Sequence, residues 1–232
     1  MGDLVTLRMS EIFESVQGEG ASAGQPCVFL RLATCNLRCS WCDTRYTWDW
    51  DAYDYATEVK KVTVEDVLAR VSSHPSRRLV VTGGEPLLQQ RALSAFLAAL
   101  PPDFAVEFET NGTVLPDPPL LERVTQWNVS PKLANSGEPR ERAVHPAVLA
   151  ALRDTGRAWL KLVVQSEEDV AEATTLMDTL SWPRDRVLFM PQASTRDRLV
   201  VLTPLVRGWA ESRGVAASPR LHVERWGGRR GV

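Results

Sequence analysis

Three thiols on one short segment are the first feature of this sequence that could do chemistry. They lie in Cys35-Asn36-Leu37-Arg38-Cys39-Ser40-Trp41-Cys42. A structural zinc site usually takes four protein ligands, whereas an iron–sulfur cluster held by three thiolates keeps one iron open to an outside chelator. No fourth cysteine or histidine stands at zinc-like spacing, because Cys27 falls in the preceding apolar run and His74 is remote. Cys35, Cys39 and Cys42 are therefore expected to hold three irons of a [4Fe–4S] cluster. Cys27 reads as a small buried hydrophobe.

Further along, Val80-Val81-Thr82-Gly83-Gly84-Glu85-Pro86 passes from a β-rich run into a turn and a helix start. Alone this is a tight turn with proline in the first helical turn, but adjacent glycines also expose backbone polar groups to a ligand. Glu107, Glu109, Thr110, Asn111 and Gly112 end the next β-rich run, and Ser130-Pro131-Lys132 ends the one after. An Asn-Gly pair is an ordinary turn signal. The recurrence of polar motifs after consecutive runs is what suggests a common site.

The elements that must position these residues alternate in type. Strands are predicted at Val28–Leu32, Leu79–Thr82, Ala105–Thr110, Trp127–Ser130, Trp159–Val164 and Val187–Met190. Helices are predicted at Val64–Val71, Leu87–Leu100, Pro146–Leu152, Glu167–Leu180 and Arg198–Gly214. Ser166 before Glu167-Glu168-Asp169 reads as an N-cap with an acidic first turn, and Gly214 as a helix terminator. Such alternation specifies an α/β chain with a parallel sheet. About six βα units fall short of the eight of a closed barrel, so the expectation is an incomplete, TIM-like barrel with its site at the strand C-termini. Trp48–Lys61 is poorly periodic and reads as an insertion or a lid; its Trp48, Trp50, Tyr53 and Tyr55 form an aromatic patch of open use. Residues 1–232 are read as one domain, without internal repeats or a linker.

Composition narrows the function classes. The 232 residues are 44% hydrophobic and 24% charged with a formal net charge of −2, so no global basic field favours a nucleic-acid backbone. Met1-Gly2-Asp3-Leu4-Val5 has no basic segment followed by an apolar run, and no apolar stretch approaches bilayer length. A cytoplasmic protein without membrane or nucleic-acid partners is expected. Four cysteines, three of them clustered, suit metal chemistry in a reducing compartment better than a disulfide scaffold.

With these residues in place, the chain resembles the radical S-adenosylmethionine superfamily. The superfamily's signature is C-x3-C-x2-C with an aromatic residue before the last cysteine, the place Trp41 fills. The resemblance implies that S-adenosylmethionine chelates the open iron and is cleaved to a 5′-deoxyadenosyl radical, so that the cofactor carries the difficult chemistry. It also implies a cofactor site from Trp41, Cys42, Asp43, Gly83, Gly84, Glu85, Glu109, Asn111, Ser130, Pro131, Lys132 and Gln192. Gly83-Gly84-Glu85-Pro86 would receive the methionyl amine. Gln192 lies in a loop that varies among relatives.

Within that superfamily, Glu11-Ile12-Phe13-Glu14-Ser15-Val16-Gln17-Gly18-Glu19-Gly20 is similar to the 7-carboxy-7-deazaguanine synthases. Arg31, Asp43-Thr44, Thr82, Arg220-Leu221-His222, Trp226-Gly227 and Arg229–Val232 extend the likeness to both ends. It implies conversion of 6-carboxy-5,6,7,8-tetrahydropterin to 7-carboxy-7-deazaguanine with loss of ammonia, on the route to queuosine and other 7-deazapurines. Val16, Gln17, Gly18, Arg31, Thr82, His222 and Val232 would contact substrate. Gln17 offers amide edges to a flat heterocycle, and Arg31 can meet a carboxylate with two parallel hydrogen bonds. Thr44 would bind Mg2+, an ion that keeps waters and takes substrate oxygens. A homodimer and an electron-donor protein such as a flavodoxin or ferredoxin are also implied. Two other readings of the cysteines are a glycyl-radical activase, which needs a partner protein as substrate, and a zinc-stabilised binding module without turnover.

Overall fold

The computed structural model describes residues 5–232, so Met1–Leu4 of the N-terminal reading lie outside the described residues. Its strands are β1 (Thr6–Val16), β2 (Pro26–Leu32), β3 (Lys60–Thr63), β4 (Arg78–Gly83), β5 (Ala105–Thr110), β6 (Gln126–Val129), β7 (Ala158–Val164), β8 (Val187–Pro191) and β9 (Ala216–Ala217). Its helices are α1 (Tyr55–Glu58), α2 (Val64–Ser72), α3 (Gln90–Ala99), α4 (Pro118–Arg123), α5 (Arg140–Ala143), α6 (Pro146–Asp154), α7 (Glu167–Thr179), α8 (Arg196–Ser212) and α9 (Leu221–Trp226).

One sheet runs β3-β1-β2-β4-β5-β6-β7-β8-β9. From β2 onward all neighbours are parallel, while β1 pairs antiparallel with both β2 and β3. The edge strands β3 and β9 do not pair with each other, so the sheet is an open partial barrel. The expected parallel strands are β2, β4, β5, β6, β7 and β8.

Side chains alternate across each strand, and here the two faces have different chemistry. Val28, Leu30 and Leu32, Val106 and Phe108, Trp127 and Val129, and Leu160, Leu162 and Val164 join one apolar core with Val67, Phe96, Leu149, Ala173 and Val206 of the helices. Emptying one of its fully buried aromatics, such as Phe108 or Trp127, would cost about 3–5 kcal/mol. The alternate positions carry Arg31, Thr82, Glu109, Asn128 and Lys161, which line a cavity, and Glu107, which is buried against Arg78, Ser22 and Asn128. A parallel strand packed on both faces is normally apolar throughout. Here one face stays polar because it lines a cavity.

The helices follow local chemistry. Ser166 accepts from the Asp169 N–H to cap α7, and Thr195 caps α8 through Arg198. Gly214, at φ 65°, follows α8, which ends at Ser212, two residues before the predicted terminator. The chief departure lies at the N-terminus, where the motif-bearing segment forms the eleven-residue strand β1. Its wet antiparallel pairing lets Arg8, Glu11 and Glu14 interrupt the apolar pattern. Trp48–Lys61 is also more than an insertion or lid. It contains α1 and feeds β3 onto the sheet edge beside β1. The proline-rich loop after β5 contains α4, with prolines in its first turn.

Candidate active site

The cysteine loop leaves β2 through Thr34, whose φ of 76° is unusual for a β-branched residue. The Thr34 N–H donates to the Thr47 carbonyl at 2.6 Å, fixing this turn. Cys35, Cys39 and Cys42 then face one cavity of about 370 Å³ at the C-terminal ends of the parallel strands. All three thiols are free. Burial pushes the Cys35 thiol up to about 12, so its thiolate needs a cation's stabilisation. Trp48 donates from Nε1 to Cys42 Sγ at 3.3 Å, and the Leu37 N–H reaches Cys35 Sγ at 3.4 Å.

Glycine at 83 and 84 is a steric requirement. A Cβ on Gly84 would stand 2.1 Å from the Thr34 carbonyl oxygen, and one on Gly83 would stand 2.0 Å from that of Leu32. Gly83 also has φ of 138°. The absence of side chains lets the end of β4 lie directly against the cysteine loop. Glu85 behind it is fully buried and accepts from the Leu87 and Asn111 N–H groups and from Thr110 Oγ1. Burial raises its pKa despite these bonds. Asn111 Nδ2 in turn donates to Asn36 Oδ1 at 2.9 Å, connecting the end of β5 to the cysteine loop.

On the inner face, Glu109 accepts from Thr82 Oγ1 at 2.7 Å and from Gln17 Nε2 at 3.1 Å. Gln17 Oε1 accepts from the Glu19 N–H. The Glu19 carboxylate meets Lys161 Nζ at 2.5 Å and Arg220 Nε at 3.0 Å; Arg220 reaches on to Asp43 Oδ2 at 2.5 Å. Burial would raise the Glu19 pKa, but Lys161, Arg220 and His222 hold it well below the usual carboxylate range. For His222 burial wins, lowering its pKa and favouring neutral imidazole. Gly18 is needed beneath that ring, because a Cβ there would stand 2.4 Å from His222 Nδ1.

Arg31 also lines the cavity, its guanidinium 5.7 Å from the Phe13 ring centre. Its Nε stands 3.4 Å from Glu11 Oε2, and neither buried atom has a hydrogen-bond partner. The tail after α9 returns to the cavity, which Val232 lines. Thr44 presents its hydroxyl there too, with Oγ1 3.6 Å from Cys42 Sγ.

Of the residues singled out from sequence, Val16, Gln17, Gly18, Arg31, the three cysteines, Trp41, Asp43, Thr44, Thr82, Gly83 and Gly84 share this cavity. Glu109, Asn111, Ser130, Lys132, Gln192, His222 and Val232 line it as well. Glu85 and Pro131 do not line it. Glu85 stands behind the Gly-Gly turn and Pro131 between two lining residues. The sequence reading missed the charge cluster of Glu19, Lys161 and Arg220, and it missed Asn128. Lys161 carried a signal, a lone charge in the otherwise apolar run Ala158–Val164. Glu19 and Arg220 stood within quoted motifs but received no role.

The geometry suits the cofactors of this chemistry. Three free cysteines on one loop are a soft donor set, and the Gly-Gly turn leaves backbone groups bare beside them. Among the described residues no three Cys, His, Asp or Glu side chains are gathered to hold one metal ion. A cubane makes no such demand, since each thiolate binds a different iron.

Residues 31–130 match the radical SAM superfamily. The open parallel barrel and three-thiol loop define the same class, an enzyme that uses a [4Fe–4S] cluster and S-adenosylmethionine. Similarity extends much further. A 7-carboxy-7-deazaguanine synthase of Pyrobaculum aerophilum is 37% identical over 97% of this chain and 97% of its own length. That of Bacillus subtilis is 29% identical over 96% and 97%. The crystal structure of QueE from Escherichia coli superposes with a TM-score of 0.68 at 27% identity, covering 92% of this chain and 93% of that one. The chain belongs to the 7-carboxy-7-deazaguanine synthase family. Among the described residues no helix is long and apolar enough to cross a membrane.

Proposed function

We propose that this enzyme converts 6-carboxy-5,6,7,8-tetrahydropterin to 7-carboxy-7-deazaguanine and ammonia. The observation that carries this reading is that Arg31, Gln17, Thr82 and His222 share one cavity with the three-cysteine loop. Bound there, the cluster and S-adenosylmethionine would supply hydrogen abstraction from carbon 6 of the pterin and return of hydrogen to the product. The chain's own work is positioning and exclusion of water. Cys35, Cys39 and Cys42 would hold the cluster. Trp41, Asp43, Gly83, Gly84, Asn111, Ser130, Lys132 and Gln192 would surround the cofactor, with Glu85 and Pro131 supporting that wall.

Arg31 would clamp the substrate carboxylate, and Gln17 and backbone groups at Val16 and Gly18 would read the heterocycle edge. Thr82, His222 and Val232 would complete the substrate site. Glu109 would orient Gln17 and Thr82, both of which donate to it. Mg2+ at Thr44 would take its other ligands from water and substrate oxygens, and would favour the contracting ring electrostatically.

The same reading includes a cytoplasmic homodimer that supplies a tRNA-modification route and receives electrons from a flavodoxin- or ferredoxin-like protein. The test is anaerobic incubation of reconstituted enzyme with the tetrahydropterin, S-adenosylmethionine, Mg2+ and dithionite. A deazapurine chromophore and ammonia are expected without any partner protein substrate. An iron-replete enzyme that leaves the pterin unchanged would refute the assignment.

A further inference from the structure

The tail that follows α9 is fastened by one side chain. Arg230 donates from Nε to Glu11 Oε1 at 3.1 Å and from Nη1 and Nη2 to the two Glu58 oxygens at 3.1 and 2.6 Å. Its guanidinium carbon stands 3.4 Å from the Tyr46 ring centre. These anchors belong to β1, α1 and the turn Arg45–Thr47, so three separate segments grip the tail. Gly227 and Gly231, at φ of 64° and 67°, have open space where a Cβ would stand. Their role is conformational, letting the chain turn back from α9 across the cavity.

Glu11 is shared. One oxygen takes Arg230, while the other is the atom that faces Arg31 Nε without an aligned hydrogen bond. A free Glu11 carboxylate could engage Arg31 with both oxygens, because a guanidinium fork matches a carboxylate well. By occupying Oε1, Arg230 limits that competition and leaves Arg31 donors for a ligand in the cavity.

We propose that Glu11 and Arg230 are positioning residues that join two events: closure of the C-terminal tail and the aiming of Arg31 at the substrate carboxylate. This rests on the pterin reading above. When the tail is latched, Arg230 holds Glu11 away from full engagement of Arg31. When the latch opens, Glu11 captures Arg31 and the carboxylate site is lost together with the cover.

The experiment uses the reconstituted holoenzyme with Arg230→Ala, Arg230→Lys, Glu11→Gln and the Arg230→Ala/Glu11→Gln pair. For Arg230→Ala, KM for the carboxypterin should rise about tenfold, from loss of partly exposed ion pairs and the stacked ring, with kcat within about twofold. Arg230→Lys should recover part of this. Adding Glu11→Gln to Arg230→Ala should lower KM again, because the competing carboxylate is gone; a purely structural latch predicts no such recovery. Hydrogen exchange of the tail peptide without substrate should be faster in Arg230→Ala. An unchanged KM, or a double variant as impaired as Arg230→Ala or worse, overturns the coupling. Arg230 lies on the surface tail, so folding is not at stake. Should wild-type enzyme fail to turn over the pterin while Arg230→Ala still frees the tail, the substrate assignment fails and the latch stands.

Discussion

Replacing Glu19 by Gln should destabilise the enzyme far more than loss of a surface ion pair. The Glu19 side chain is 13% exposed and sits between Lys161 and Arg220, each 7% exposed. Glutamine keeps the shape but leaves these cations without their common partner. Arg220 retains Asp43, 2.5 Å away, whereas Lys161 has no other ion pair among the described residues. Breaking a buried pair by removing one charge costs about 3–5 kcal/mol, against about 0–1 kcal/mol for an exposed pair. For a chain of this size that corresponds to a Tm lower by about 6–20 °C. Anaerobic urea unfolding of reconstituted protein, followed by circular dichroism at pH 7, measures the difference. Adding Lys161→Met should recover part of the loss, since the orphaned ammonium is then gone. The pH dependence has a definite sign. Because the folded-state pKa is depressed, Glu19 contributes its stabilisation fully above its unfolded value near 4.5. The contribution drains away as pH falls below that value toward the lower folded one. A Glu19→Gln protein within about 1 kcal/mol of wild type, or an unaltered acid limb, would refute this account of the cluster.

Alanine at Cys35, Cys39 or Cys42 should abolish cluster assembly, read as iron and sulfide content, whereas Cys27→Ala should retain iron and cost at most a few kcal/mol through lost packing. Gly84→Ala must displace the Thr34 backbone, so S-adenosylmethionine affinity in an equilibrium binding assay should fall while Gly208→Ala, on α8 with open space at its Cβ, leaves it unchanged. Arg31→Ala should weaken carboxypterin binding by about 2–5 kcal/mol in calorimetry, and Arg31→Lys should restore little because it lacks the planar fork. Iron content and substrate-independent S-adenosylmethionine cleavage should survive both changes.

Much of this architecture was legible because parallel strands under helices write their period plainly. Leu79–Thr82 and Trp159–Val164 are near-continuous apolar runs followed by amphipathic helices, and each lies within a residue or two of the bounds of its strand. The thiols were legible from spacing alone, and the Gly-Gly turn from its place at a strand end. β1 was not, since its antiparallel neighbours leave Glu11 and Glu14 partly wet and the alternation weak. The ion cluster was illegible for another reason. Glu19, Lys161 and Arg220 are brought together from β7 and two distant loops, and only the topology makes them neighbours. Arg230 and Glu11, at opposite ends of the chain, meet in the same way.

The most direct test of the central claim follows one hydrogen. With the pterin deuterated at carbon 6, anaerobic turnover by reconstituted enzyme should form 7-carboxy-7-deazaguanine and carry deuterium into the S-adenosylmethionine pool or its 5′-deoxyadenosine. Consumption of the pterin with both remaining free of deuterium would contradict abstraction at carbon 6 in this cavity.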